Sequence, residues 1–106
     1  MKRIYISGPI TENPNAKEQF AQAEQMLAEE WMVWNPYAVN TKVADMTGIS
    51  THKQFMAISL AGLKMCDAIW MLQGWQDSRG AREEYVYART NGKTVFINGK
   101  AEETEV

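Results

Sequence analysis

An acidic side chain stands where a helix would be expected to turn an apolar one inward. Projected at ~100° per residue, Ala81, Glu84, Tyr85 and Ala88 share one stripe, the i, i+3, i+4, i+7 set that packs a helix onto a sheet. Glu83 falls on the opposite side, where a charge needs no explanation. An ionised carboxylate is costly to bury unless something compensates, and the first turn of a helix would compensate through its dipole and free amides. A partly desolvated carboxylate held in that way is a candidate nucleophile. The alternative is a structural glutamate held by Arg79 or Arg82.

The turn before that helix carries the other polar candidates. Ser78 is suited to cap the helix, and a capping serine can also donate to a phosphate. Arg79 sits on the turn and is a second anion ligand or, alternatively, solvated surface; Gly80 leaves its amide open to a ligand. Trp75, beside Gly74, could stack on a base or cover its own core. The sole histidine, His52, lies near a helix start, where a structural role competes with a catalytic one. Met26, Met56 and Met65 fall on helical apolar positions and need no role beyond packing.

The elements that must position these residues follow from periodicity and punctuation. Arg3 to Ser7 reads as a buried strand closed by Gly8-Pro9, and Phe20, Ala23, Leu27 and Trp31 mark a helix entered at Asn13-Pro14. Met32 to Trp34 is a second strand, stopped by Asn35-Pro36. Tyr37 to Ile49 has no usable period and reads as a long loop. Ser50 or Thr51 caps a second helix to about Met65, Asp67 to Leu72 is a third strand, and Gln73 to Asp77 is a turn. A third helix spans about Ser78 to Thr90, and Asn91-Gly92 ends it before a fourth strand, Thr94 to Ile97. The tail from Asn98 to Val106 is polar and reads as loosely ordered.

Strands alternating with helices predict an α/β three-layer sandwich, a flavodoxin- or Rossmann-like parallel sheet of about four strands with helices on both faces. In a flavodoxin-like order, 2-1-3-4, ligands sit beyond the carboxyl ends of the first and third strands, where strand order reverses. Ser7, Gly8, Pro9 and Ile10 would meet the Gln73 to Gly80 segment there, and phosphate or carboxylate recognition is the natural reading.

Length and composition bound the remaining possibilities. A chain of 106 residues has room for one domain and one modest core. A net charge of -2 with scattered basic residues gives no footprint for polymeric nucleic acid. No apolar run approaches ~18 residues and no leader pattern precedes the first strand, so neither membrane nor secretion is expected. One cysteine, Cys66, cannot form an internal disulfide and has no partners at metal-ligand spacing, which suits a reducing cytoplasm and excludes a structural zinc site. The second helix shows two apolar faces, Phe55, Ile58 and Met65 on one and Met56, Leu60 and Leu63 on the other, a surplus that suggests a homodimer or a larger homo-oligomer.

Three segments together, Ile4 to Ile10, Cys66-Asp67-Ala68-Ile69 and Ser78 to Glu84 followed by Ala88, resemble the nucleoside 2-deoxyribosyltransferase superfamily. The likeness extends to Ile97 and is greatest to a compact branch common in phages and bacteria; the superfamily also contains 2'-deoxynucleoside 5'-phosphate N-hydrolases. The resemblance implies that Glu84 attacks the anomeric carbon and forms a covalent deoxyribosyl intermediate. It also implies that Tyr5 and Gly8 line the sugar and phosphate pocket. Transferases usually carry an aspartate six residues before the nucleophile, whereas the hydrolases carry a phosphate-contacting serine, and Ser78 is the hydrolase-like choice. Asp67, a recurring family residue, lies at the far end of the sheet and reads as structural.

One departure stands out. Relatives usually place a catalytic aspartate on the second helix, at the position of Ser59, and serine supplies neither its charge nor its proton. Either His52, two turns earlier on nearly the same face, takes part of that role, or the domain binds without efficient turnover. The expectation is therefore an enzyme acting on a deoxynucleoside 5'-monophosphate, with a small nucleotide or nucleoside as ligand and no metal or organic cofactor. The alternative is a non-catalytic nucleotide-binding module that regulates or sequesters, and a weaker third reading is a partner-binding protein using the surplus helix face.

Overall fold

A computed structural model describes residues 1–103. In chain order it contains β1 (Arg3–Ser7), α1 (Ala16–Leu27), β2 (Met32–Trp34), α2 (Pro36–Thr47), α3 (His52–Lys64), β3 (Ala68–Met71), a 3-10 turn (Trp75–Asp77), α4 (Arg79–Thr90), β4 (Thr94–Ile97) and β5 (Lys100–Ala101). The sheet order is β2-β1-β3-β4-β5, in which the first four strands are parallel and β5 is antiparallel to β4. The expected sandwich is present, with one strand more than the sequence suggests.

Alternation along β1 divides the core. Ile4 and Ile6 face α1 and pack with Phe20, Ala23 and Leu27, while Tyr5 faces the other way with Leu63, Ile69, Ala81 and Ala88. From Ile4 to Ser7 both faces of β1 are thus fully buried. Chain order reverses between β1 and β3, whose carboxyl ends open the crevice expected of such sheets.

Two expectations fail, each for a local reason. Most of the segment read as a loop from Tyr37 to Ile49 is helix α2. Asn35 caps it by accepting from the Ala38 amide at 3.2 Å, Pro36 fills the first turn, and Gly48 ends it at φ 75°. Only Pro36 of α2 is buried, so the apolar stripe that announces a helix is missing. The tail is the second correction. Asn98 and Gly99, at φ 53° and 78°, make a two-residue hairpin turn that folds Lys100–Ala101 back onto β4. Glu102 then accepts from Tyr85 and Arg89, tying the end to α4. Residues 104–106, the rest of that tail, lie outside the described residues.

Smaller differences concern boundaries. The first helix starts at Ala16 rather than at Pro14, and Thr51 caps α3 through a capping box with Gln54. No helix among the described residues is long and apolar enough to cross a membrane.

Candidate functional site

Helices α2, α3 and α4 and the end of β1 enclose a cavity of about 570 Å³ above the β1–β3 crevice. Glu84 reaches it from the second turn of α4, and the residue is 6% exposed. Tyr5 donates its phenolic hydrogen to Oε2 at 2.5 Å, and Ser7 donates its hydroxyl to Oε1 at 2.6 Å. Both donors are fully buried and, two residues apart on β1, point to the same side of the sheet.

This arrangement differs from the expected one. Glu84 lies beyond the first turn of α4, so hydroxyls of β1 compensate it rather than helix-end amides. The arginines do not hold it either: Arg79 bonds Glu83 at 3.1 Å and Arg82 donates to the Gln76 carbonyl at 2.8 Å. Burial pushes the Glu84 carboxyl up to about 7; the Ser7 and Tyr5 hydrogen bonds oppose that rise and Glu83 adds to it. Near neutrality the group is therefore divided between its two forms. The Tyr5 phenol is held well above its ordinary value, by burial first and by the Glu84 charge second.

At the cavity's α4 side, Ser78 caps the helix by accepting from the Ala81 amide at 3.2 Å, and Ser78 and Gly80 line the wall. The amino end of α4 thus opens beside Glu84. His52 stands at the rim, partly exposed, with Nε2 3.6 Å from Glu83 Oε1. Ser59 is buried in the α3 wall and accepts from Asn40 Nδ2 at 3.2 Å.

Seven of the residues singled out from sequence border the cavity: Gly8, Ile10, His52, Ser59, Ser78, Gly80 and Glu84. Tyr5 and Ser7 lie beneath Glu84 rather than on the wall. Pro9, Trp75 and Arg79 are not brought to it. Trp75 stacks on Tyr85 with ring centroids 4.6 Å apart and packs against the core. Gly8 has a packing duty as well, since a Cβ there would meet Leu72 Cβ at 2.8 Å. Asp67 accepts from the Arg3 amide at 2.9 Å, at the strand starts and away from the cavity.

The wall that sequence reasoning missed belongs to α2. Tyr37, Asn40, Thr41, Ala44 and Asp45 line the cavity at i, i+3, i+4, i+7 and i+8. That spacing is helical, but it is written mostly in polar residues, so a search for apolar periodicity passes over it. The two faces of α3 are also partly explained here, because Phe55 and Met56, one from each, both border the cavity.

Among the described residues no group of three or more His, Cys, Asp or Glu side chains could hold a metal ion. Fold and site together define a doubly wound α/β domain with a hydroxyl-held carboxylate in a pocket at its switch point. The chain belongs to the family described as Domain of unknown function (DUF4406), which matches residues 2–97. No curated protein matches it.

Proposed function

We propose that the protein cleaves the N-glycosidic bond of a deoxynucleoside 5'-monophosphate, by hydrolysis or by transfer to another base. The observation that carries this reading is the Glu84 carboxylate, buried at the cavity with Tyr5 and Ser7 donating to its two oxygens. In its ionised form Glu84 attacks the anomeric carbon, and the C1'–N bond breaks with its electron pair leaving on the base. The base takes a proton from solvent or from His52 at the rim. Water or a second base then displaces Glu84 from the glycosyl ester, the two-step course of retaining glycoside chemistry.

The phosphate is read by Ser78, the Gly80 amide and the positive end of α4. The resemblance to nucleoside 2-deoxyribosyltransferases supports the same assignment, with Ser78 favouring the hydrolase side. A lone buried Cys66 is consistent with work in a reducing cytoplasm. Association of two copies through α3 belongs to the same proposal, and light scattering reads it.

Incubation with each deoxynucleoside monophosphate, followed by chromatography for free base, tests the reading. Wild-type protein is expected to release base, and Glu84→Gln to release none. If wild-type protein binds the nucleotides but releases no base, the chain is a binding module. Ser59 at the position of the usual aspartate, engaged by Asn40, favours that second reading.

A further inference from the structure

Three buried side-chain polar atoms have no hydrogen-bond partner among the described residues: Trp34 Nε1, Trp75 Nε1 and Asn40 Oδ1. Of these three residues only Asn40 borders the cavity, and its oxygen is the only acceptor among the three atoms. The other end of the same amide is engaged, since Nδ2 donates to Ser59 Oγ at 3.2 Å, from α2 to α3. That bond fixes how the amide is turned and leaves Oδ1 as the end in need of a donor. A buried acceptor without a donor is costly, and at the wall of a ligand cavity the missing donor is one that a ligand supplies.

The place of Asn40 narrows what that donor is. Helix α3 packs against both α2 and α4, so α2 and α4 form facing walls of the cavity. Glu84 stands on the α4 side, and a nucleophile displaces its leaving group from the opposite face of the carbon it attacks. The base therefore lies across the cavity from Glu84, toward α2, while the phosphate at Ser78 and Gly80 stays with α4. Asn40 is half-buried, and Pro36 is the only buried residue of α2. A small rotation of the terminal amide, or a small shift of this lightly seated helix, brings Oδ1 to the edge of a base.

We propose that Asn40, oriented by Ser59, reads the base and selects one with an exocyclic amino group, adenine or cytosine, over its oxo counterpart. The amino group donates at the position where the oxo counterpart presents another acceptor. The second hydrogen of Asn40 Nδ2 serves the ring nitrogen beside that amine, the two-point pairing by which asparagine reads adenine. A site with a buried group awaiting a hydrogen bond rejects the analogue that cannot make it, because the group then stays unpaired. Ser59 is here the positioning residue that holds the amide, which gives serine a use at a place where it cannot act as an aspartate would. These roles rest on the nucleotide reading of the cavity, but binding alone tests them, without turnover.

Calorimetry with Glu84→Gln protein, at one pH and one salt concentration, compares the deoxynucleoside 5'-monophosphate of adenine with that of hypoxanthine, and that of cytosine with that of uracil. In at least one pair the amino-bearing nucleotide is expected to bind about tenfold more tightly, or better. Adding Asn40→Leu brings that ratio to within about twofold, because the acceptor is gone. Adding Asn40→Asp preserves the preference, because a carboxylate oxygen still accepts. Ser59→Ala releases the amide and lowers the ratio while the oxo nucleotide binds as before. A change that merely loosens the cavity weakens both members of a pair alike and leaves their ratio unmoved. Ratios within about twofold in both pairs, or a preference that survives Asn40→Leu, overturn the role of Asn40 and leave the nucleotide reading standing. If none of the four nucleotides binds, the nucleotide reading is overturned and the role of Asn40 falls with it.

Discussion

Tyr5 and Glu84 lie 79 positions apart in sequence and meet through a 2.5 Å hydrogen bond with both residues buried. Ser7 meets the other carboxylate oxygen at 2.6 Å. Among the described residues this carboxyl has two hydroxyl donors and no cationic partner, and burial dominates and lifts it to about 7.

That rise makes Glu84 a term in stability. Its native carboxyl binds a proton more tightly than the unfolded chain, so its contribution is complete below about 4.5 and is lost as pH rises through about 7. At about 1.4 kcal/mol per pH unit, the full swing is roughly 3 kcal/mol. Glu84→Gln removes the titration while keeping groups that can meet Tyr5 and Ser7. Thermal melts at pH 5 and pH 8 are expected to show wild-type protein losing more stability on the alkaline side than the variant. Parallel pH dependences would mean that the Glu84 carboxyl is not lifted.

Ser7→Ala removes one of the two donors and leaves Tyr5 in place. At pH 8 the ionised carboxylate then has an unsatisfied oxygen in a buried site, at a cost of about 1–3 kcal/mol. At pH 5, where the group is protonated, the cost is expected to be smaller. For base release, the ascending limb of the rate with pH moves to higher pH, since Ser7 holds the carboxyl down. Urea denaturation at both pH values and a rate profile check the two outcomes, and equal losses at pH 5 and pH 8 would contradict the first.

Gly62 separates packing from chemistry. A Cβ added there would stand 2.4 Å from Cε2 of Trp34, an atom at the ring fusion that cannot swing aside as a flexible chain end does. Gly62→Ala is expected to destabilise the fold by about 1–3 kcal/mol, the usual range for overpacking. The Glu84 titration midpoint in the folded variant stays at its wild-type position. A stability unchanged within ~0.5 kcal/mol would show that α3 and β2 can slide apart at little cost.

How much of this was legible in sequence depends on what each residue type reports. Apolar periodicity locates β1, α1, β3 and α4 because those elements write their burial in Ile, Phe, Leu and Ala. Glu84 is legible for the opposite reason, as a charge on an otherwise apolar stripe. Its partners are legible only in part: Tyr5 and Ser7 are expected at the ligand pocket, but that they donate to Glu84 appears only when α4 lies over β1. Helix α2 is hidden because its inward side faces a cavity instead of a core, and its Asn35-Pro36 start also reads as a simple stop. The Asn98-Gly99 dipeptide was a hairpin signal in plain view, masked by the polar tail that follows it.

The last prediction concerns the phosphate, and it follows from where α4 begins. Ser78 and Gly80 border the same cavity as Glu84, and a helix start carries partial positive charge that attracts an anion. With Glu84→Gln protein, which binds without turning the ligand over, a deoxynucleoside 5'-monophosphate is expected to bind at least about tenfold more tightly than its nucleoside, a difference of about 1.4 kcal/mol. Raising salt reduces that advantage, because screening weakens the phosphate contact and leaves base and sugar contacts in place. Ser78→Ala reduces it too, and costs about 1 kcal/mol of stability through the lost cap. Calorimetry with matched nucleoside and nucleotide at low and high salt measures all three effects. Equal affinity for the two ligands at both salt concentrations would show that the amino end of α4 does not read phosphate, and the substrate would then have to be sought among unphosphorylated nucleosides.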